Sequence, residues 1–229
     1  EKFYDLTGSL TYSSVFAYCI YLTTTGDINW GSLTISILVI LWAVRLGSFL
    51  FLRIAKDGKD KRFTTIKPDI AQFFMAWTIQ GTWVALCSLC AITAIASETG
   101  IIINPIFYTG LLMFIGGLAI EIIADRQKTI FRAVPENRDK FITSGLWSRS
   151  RHPNYFGEIT LWTGVAVMSF SSLSGLEFLT LISPIWTYLL LVKISGVRML
   201  EGIGKKKWGE DPDYISYMKN TPTVMIKFW

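Results

Sequence analysis

Charge is scarce in this 229-residue chain: 17% of residues are Asp, Glu, Lys or Arg against 51% hydrophobic, and mean hydropathy is +0.41. A soluble domain carries about 25% charged residues, so a water-soluble globule is excluded. Aromatic residues make up 14%, which excludes intrinsic disorder. The three cysteines, Cys19, Cys87 and Cys90, all lie inside apolar runs. Neither a secreted disulfide framework nor a zinc site has material to work with. The Cys87 to Cys90 spacing is that of a redox pair, but its place in mid-span reads as packing. His152 is the only histidine, and no metal site is expected from one His. No GxGxxG follows a strand and no phosphate-loop signature occurs, which excludes a soluble-type dinucleotide fold. Heptads, internal repeats and low-complexity tracts are absent as well. No charged leader with a cleavage site opens the chain, and because it does not begin with Met, a few residues are expected upstream.

Long uncharged runs are what the chain has instead. They cover 6–26, 28–44, 70–97, 99–120, 159–176 and 178–192. A helix needs about 20 apolar residues to cross the hydrocarbon layer, so the first, third and fourth suffice as they stand. The second gains length by continuing past Arg45 to Leu52, with the guanidinium snorkelling or facing the bundle interior. The fifth and sixth read as a hairpin turned near Ser174, Gly175 and Glu177. The expected fold class is all-α: a polytopic integral membrane bundle of six transmembrane helices with long cytoplasmic loops, forming a single membrane domain over 1–229.

Basic residues orient this bundle. Arg53, Lys56, Lys59, Lys61, Arg62 and Lys67 lie between spans two and three, and seven more, from Arg126 to Arg151, lie between four and five. With those after span six, the three regions hold 20 of the 22 Lys and Arg residues, while the alternate connections carry only Asp27, Glu98 and Glu177. By the positive-inside rule the basic regions and both termini face the cytoplasm. The net charge of +5 therefore belongs to membrane topology, and no nucleic-acid partner is expected.

Two cytoplasmic stretches of 37 residues, 121–157 and 193–229, are long enough to carry function. In the first, Glu121, Asp125, Lys128 and Arg132 fall on one stripe of a helix that prolongs span four. The stripe reads either as a ladder of spaced ion pairs or, because Glu121 lies so close to an uncharged run, as a functional set. The sequence from Gly145 to Glu158 follows, with Pro153 suited to the first position of a helix. The free N–H groups of that helix sit beside Arg149 and Arg151, an arrangement that favours a phosphate. Asn154 and Glu158 share a face one turn apart. Each feature also has an ordinary reading: positive-inside anchors for the arginines, capping or bracing for Asn154 and Glu158, and a structural hydrogen bond for His152. After span six, Arg198, Glu201 and Lys205 share a helical face, followed by interleaved basic and aromatic residues that suit an interfacial helix or a lid over an anionic cofactor.

The run SRHPNYFGE at 150–158, with ADRQK at 124–128, WAVRLGSFLFLR at 42–53 and the closing RMLEGIGKKKWGEDPDYISYMKNTP, resembles the membrane steroid 5-alpha-reductase superfamily, in particular its DUF1295 branch. The resemblance spans 42–222 and is most specific over 121–158. It implies an NADPH-dependent oxidoreductase acting on an activated C=C bond in a steroid-like, isoprenoid or other lipid. Residues 1–97 would then line a lipid-substrate chamber and 98–229 would form the cofactor-binding half. Cofactor contacts are implied at Glu121, Asp125, Arg132, Lys140, Asn154, Glu158 and Arg198, and Arg151 and His152 of the same motif join the candidate set. Carboxylates and amides suit ribose hydroxyls and a carboxamide, while Arg and Lys suit phosphates. The partners implied are a hydrophobic small-molecule substrate and membrane lipid.

The chain departs from steroid-reducing members at the Glu and Tyr pair that they place near the substrate carbonyl: spans one to three lack Glu, and their tyrosines are Tyr12, Tyr18 and Tyr21. Tyr155 is the first candidate for the proton donor and Gln80, the large polar residue deep in span three, the second. The RHPxYxG core is also similar to isoprenylcysteine carboxyl methyltransferases, which use S-adenosylmethionine. The cations Arg132, Lys140, Arg149, Arg151 and Arg198 favour a phosphorylated cofactor over that methyl donor. A non-catalytic membrane subunit that keeps the fold is the third reading.

Overall fold

The computed structural model describes residues 3–25, 27–58 and 63–227, so Lys59, Lys61 and Arg62 of the first basic loop lie outside the described residues. The chain is 80% helical, with no strand among the described residues. It divides into two units, Glu1–Tyr108 with Val165–Ser183, and Thr109–Gly164 with Pro184–Trp229.

Local chemistry starts and stops the helices of the first unit. Helix α1 covers Tyr4–Thr24, α2 Trp30–Asp57, α3 Phe63–Ile66 and α4 Ile70–Ile95. Asn29 caps α2 by accepting from Ser32 N (2.8 Å), and Asp69 caps α4 by accepting from Ala71 N (2.9 Å) and Gln72 N (3.0 Å). Gly58, at φ 78°, closes α2 in the left-handed conformation that glycine adopts without strain. Ser9 Oγ donates to Ala43 O (2.6 Å) and Gly47 lies against Ser9, which packs α1 against α2. Against α4, the contacts of α1 advance in step. Tyr4 donates to Ala76 O (2.7 Å), Gly8 meets the Gln80 amide, and Tyr12 donates to Trp83 O (3.3 Å). Helices α1 and α4 therefore run parallel. Tyr12, Phe16, Val39, Trp42, Cys87 and Cys90 are buried in this core, with the Tyr12 and Trp42 rings edge to face at 5.2 Å. All three cysteines are buried thiols outside any disulfide.

The second unit holds most of α5 (Pro105–Ala133), which continues as a helix well past the uncharged run, and most of α6 (Pro153–Ser169), which begins at Pro153 as its sequence predicts. The two cross through glycine. A Cβ on Gly157 would lie 2.5 Å from Gly117 O and 2.7 Å from Glu121 N; one on Gly164 would lie 2.6 Å from Gly110 O. The pairings 110 with 164 and 117 with 157 make the helices antiparallel.

The hairpin turn forms where expected: Ser174 and Glu177 complete a capping box, with Gly175 at φ 49°. The sixth run is less regular than a single span. It divides into 3-10 turns over Gly175–Leu181, α7 over Ile182–Tyr188, a π-helical stretch over Leu189–Ile194, and α8 over Gly196–Trp208. Both the N–H and the hydroxyl of Ser195 donate to Leu190 O (2.9 and 3.0 Å), and this five-residue step widens the helix. Helix α9 spans Pro212–Asn220. Among the described residues four helical segments are long and apolar enough to cross a membrane: Trp30–Lys56, Ile70–Ile95, Pro105–Ala133 and Gly175–Trp208. Helix α1 is too rich in Ser and Thr, and α6 too short at 17 residues, to join them on length and composition.

Candidate active site

The second unit assembles most of the residues singled out in the sequence. Glu121 and Asp125, on successive turns of α5, are 2% and 7% exposed, and Glu158 of α6 is 7% exposed. Glycine explains this: with no side chain at Gly117 and Gly157 the backbones touch, so Gly157 lies on the backbone of Glu121 and Glu158 follows directly. A buried carboxylate is retained only where hydrogen-bonding partners repay its dehydration. Arg132, in the last turn of α5, is exposed, as are Lys140 in the following connection and Arg198 on α8.

The segment before α6 is pinned to α5. Gly145, at φ 62°, lies against the Gln127 side chain, whose Oε1 accepts from Leu146 N (2.9 Å). Trp147 Nε1 donates to Ala124 O (3.0 Å), and Lys128 Nζ sits 4.4 Å above the Trp147 ring. Ala124, Ile142 and Trp147 form a small core beneath Phe131 and Leu146.

The closing segment of the chain wraps this same stretch. Arg151 Nη1 donates to Met218 O (2.9 Å), Nη2 donates to Thr223 Oγ1, and Nε lies 3.2 Å from Glu201 Oε1. Arg151 N donates to Pro222 O (2.9 Å), Ser150 Oγ to Val224 O (2.7 Å) and Tyr217 Oη to Trp147 O (2.7 Å). Phe141, Trp208, Tyr214 and Tyr217 cluster with ring centroids 5.1 to 5.7 Å apart. Burial pushes the Tyr217 phenol well above the usual tyrosine range, so it stays protonated and donates.

His152 is 6% exposed and its Nε2 lies 3.3 Å from Glu201 Oε1. Burial lowers its imidazole below the ordinary histidine range; Glu201 opposes this, and Lys128 and Arg151 reinforce it. Neutral, the ring donates through Nε2 and leaves Nδ1 as an acceptor, which is buried with no hydrogen-bond partner among the described residues. Asn154 Oδ1 is likewise buried and unsatisfied. The Tyr155 ring stacks on His152 at 5.5 Å and 9°, and its far edge meets Gly196, next to the π-helical stretch.

The site residues thus fall into three groups. Glu121, Asp125, Asn154 and Glu158 supply half-buried or buried oxygen and amide groups; Arg132, Lys140 and Arg198 supply exposed cations; Arg151 and His152 are engaged by the closing segment and Glu201. Gln80 belongs to the first unit, half-buried on α4 beside Gly8. Sequence reasoning missed the four glycines of the α5–α6 crossing, although their equal spacing of seven on both helices is visible, and it missed the clamp on Met218 and Thr223. Among the described residues no group of three or more His, Cys, Asp and Glu is placed to hold a metal.

The family described as "Protein of unknown function (DUF1295)" matches residues 1–221. Among curated proteins, a probable O-methyltransferase, ustE, of Ustilaginoidea virens is 33% identical over 118 residues, 44% of this chain and 41% of that protein. The steroid 5-alpha-reductases DET2 of Arabidopsis thaliana and Gossypium hirsutum are 40% and 37% identical over 67 and 65 residues, 28% of this chain and 25% of each relative. The matched stretches thus span less than half the length of these relatives. No solved structure matches.

Proposed function

The chain belongs to the DUF1295 family, and from that premise we propose that it is a membrane reductase that uses NADPH to reduce an activated C=C bond of a hydrophobic lipid. Relatives named steroid 5-alpha-reductase support the reaction class. The observation that carries the cofactor is the donor set of the second unit: three buried carboxylates and an unsatisfied amide oxygen, with exposed cations on the same stretches of chain.

These residues fit a phosphorylated dinucleotide. Glu121, Asp125 and Glu158 accept from hydroxyl groups, and Asn154, whose Oδ1 lacks a donor, takes up an amide or hydroxyl. Arg132, Lys140 and Arg198 pair with phosphates. NADPH, when bound, supplies the hydride. Tyr155, its ring held by His152 on one face, is the first candidate to donate a hydrogen bond or proton to the substrate carbonyl, and Gln80, an amide that can polarise but carries no charge into lipid, is the alternative candidate. In this reading 1–97 lines the lipid-substrate chamber, 98–229 binds the cofactor, and Arg151 and His152, both against Glu201, belong to the cofactor-binding set. The same reading keeps six spans with both termini cytoplasmic.

The O-methyltransferase relative favours a second reading, in which the same fold binds S-adenosylmethionine. A non-catalytic subunit retaining the fold is the third. Mass spectrometry of the nucleotide that co-purifies in detergent, followed by titration with NADPH, NADH and S-adenosylmethionine, separates the three. NADPH binding tightest is expected. Charge reversal at Arg132 should cost about 1.5 to 3 kcal/mol of that affinity, the scale of a charge-assisted phosphate contact. Tighter binding of S-adenosylmethionine, or no binding of any of them, overturns the proposal.

A further inference from the structure

A cavity of about 1100 Å³ opens in the first unit where α1 and α4 end. It is as large as pockets that take drug-sized ligands. Its walls include Tyr18 and Leu22 of α1, Ile28 ahead of α2, and Ile92 and Ile95 of α4, and it is also lined by the exposed carboxylates Asp27 and Glu98. No Lys, Arg or His lines it among the described residues. The chain offers none nearby in sequence either: no basic residue occurs between Lys2 and Arg45 or between Lys67 and Arg126.

The mouth is built rather than incidental. Asn29 caps α2 with its Oδ1 and donates through Nδ2 to Thr99 O (3.1 Å), while Ile101 N donates to Ser32 Oγ (3.2 Å). Gly100, at φ 60°, lets the chain pass against Asn29. These bonds tie the start of α2 to the segment after α4. Tyr18, stacked on Tyr21 at 6.3 Å, presents an exposed aromatic ring in the same wall.

We propose that this cavity binds an amphiphile with an apolar chain and an ammonium headgroup. The chain lies along Leu22, Ile92 and Ile95, whose burial supplies most of the affinity. Asp27 and Glu98 select the positive head, and the Tyr18 ring offers it a cation–π face. An anionic head would meet two carboxylates with no compensating cation. The ammonium group can come from a free amphiphilic amine or from a choline headgroup of the bilayer itself. The proposal is independent of the cofactor reading, since none of these residues belongs to the cofactor set.

The test is saturable binding of radiolabelled dodecyltrimethylammonium to the full chain in nanodiscs, measured against empty discs and beside dodecyl sulfate of the same chain length. One saturable site for the cation is expected, about tenfold weaker in an Asp27→Asn, Glu98→Gln double variant, because exposed carboxylates each contribute modestly. Leu22→Trp, which fills the wall without touching the carboxylates, should remove the site. Binding in both phosphatidylglycerol and phosphatidylcholine discs assigns a free amphiphile as the occupant, and binding in the former alone assigns the choline lipid. Absence of a saturable component in both discs, equal binding of dodecyl sulfate, or undiminished binding in either variant overturns the proposal.

Discussion

His152 is neutral because burial costs an imidazolium more than Glu201 returns. Its folded pKa lies below the unfolded value of about 6.5, so the unfolded chain binds the proton first. The stability that neutral His152 contributes is full above that value and is lost as pH falls through the folded pKa. Thermal unfolding in detergent should therefore show a midpoint that falls as pH drops below about 6.5, and His152→Gln should flatten that slope while leaving the midpoint at pH 8 less affected. A slope unchanged by the substitution would assign the acid lability elsewhere. Tyr155 is held differently, with its ring between the His152 face and Gly196. If its hydroxyl is the proton donor, Tyr155→Phe keeps both ring contacts and NADPH binding but lowers turnover about 10²-fold, the usual scale of a general acid. Unchanged turnover would leave Tyr155 an interfacial aromatic and turn attention to Gln80, Tyr18 and Tyr21.

Between elements, the α5–α6 crossing decides where the carboxylates stand. Gly157→Ala would put a methyl group against the backbone of Gly117 and Glu121, which cannot move aside as a side chain can, and should destabilise by about 1 to 3 kcal/mol. Gly116→Ala, one residue along α5 where a Cβ meets nothing within 4 Å, should be neutral or stabilise by up to about 1 kcal/mol. Comparing the two unfolding midpoints separates close approach from helix propensity; equal effects would remove the crossing as the cause of Glu121 burial. This crossing also shows what was legible in the sequence and what was not. Caps and turns at Ser174 and Gly175, the start of α6 at Pro153 and the extension of α5 are local, set by residues a few positions apart, and the chain displays them directly. Glu121 and Asp125 were readable as costly because charge so close to an uncharged run is itself a local signal. The clamp of Arg151 on Met218 and Thr223 was not, since it joins residues about 70 positions apart, and an arginine there reads equally well as a phosphate ligand. The π-helical stretch before Ser195 hides for another reason: it depends on where one hydroxyl and one N–H find the same carbonyl.

At the scale of the whole molecule, helix length and the placement of charge together govern how many helices cross the bilayer. Four segments among the described residues qualify by length and composition, and an even count of four or of six keeps the termini on one side. The case for six rests on α1 and α6. Helix α1, with 21 residues, is about 31 Å long at 1.5 Å per residue, matching the hydrocarbon layer. It packs against α2 and runs parallel to α4, both of which qualify, and its Ser and Thr side chains answer to backbone carbonyls, as Ser9 does to Ala43 and Thr11 to Thr7. Helix α6 adds a 3-10 turn over Phe170–Ser172 to its 17 residues, which brings it to roughly 30 Å. Charge supplies the remaining argument. With six spans every basic loop lies on one side and Asp27, Glu98 and Glu177 on the other; were α6 to remain outside the bilayer, Arg149 and Glu177 would share a side and the segregation would fail. Single cysteines placed at Phe3, Asp27, Glu98, Arg149 and Ser174 can be labelled with a membrane-impermeant maleimide, the native cysteines being buried. Phe3 should report with Arg149, and Asp27 with Glu98 and Ser174 on the opposite side. Phe3 with Asp27 would remove α1 from the bilayer, and Arg149 with Ser174 would remove α6, each leaving the positive-inside pattern without its cause.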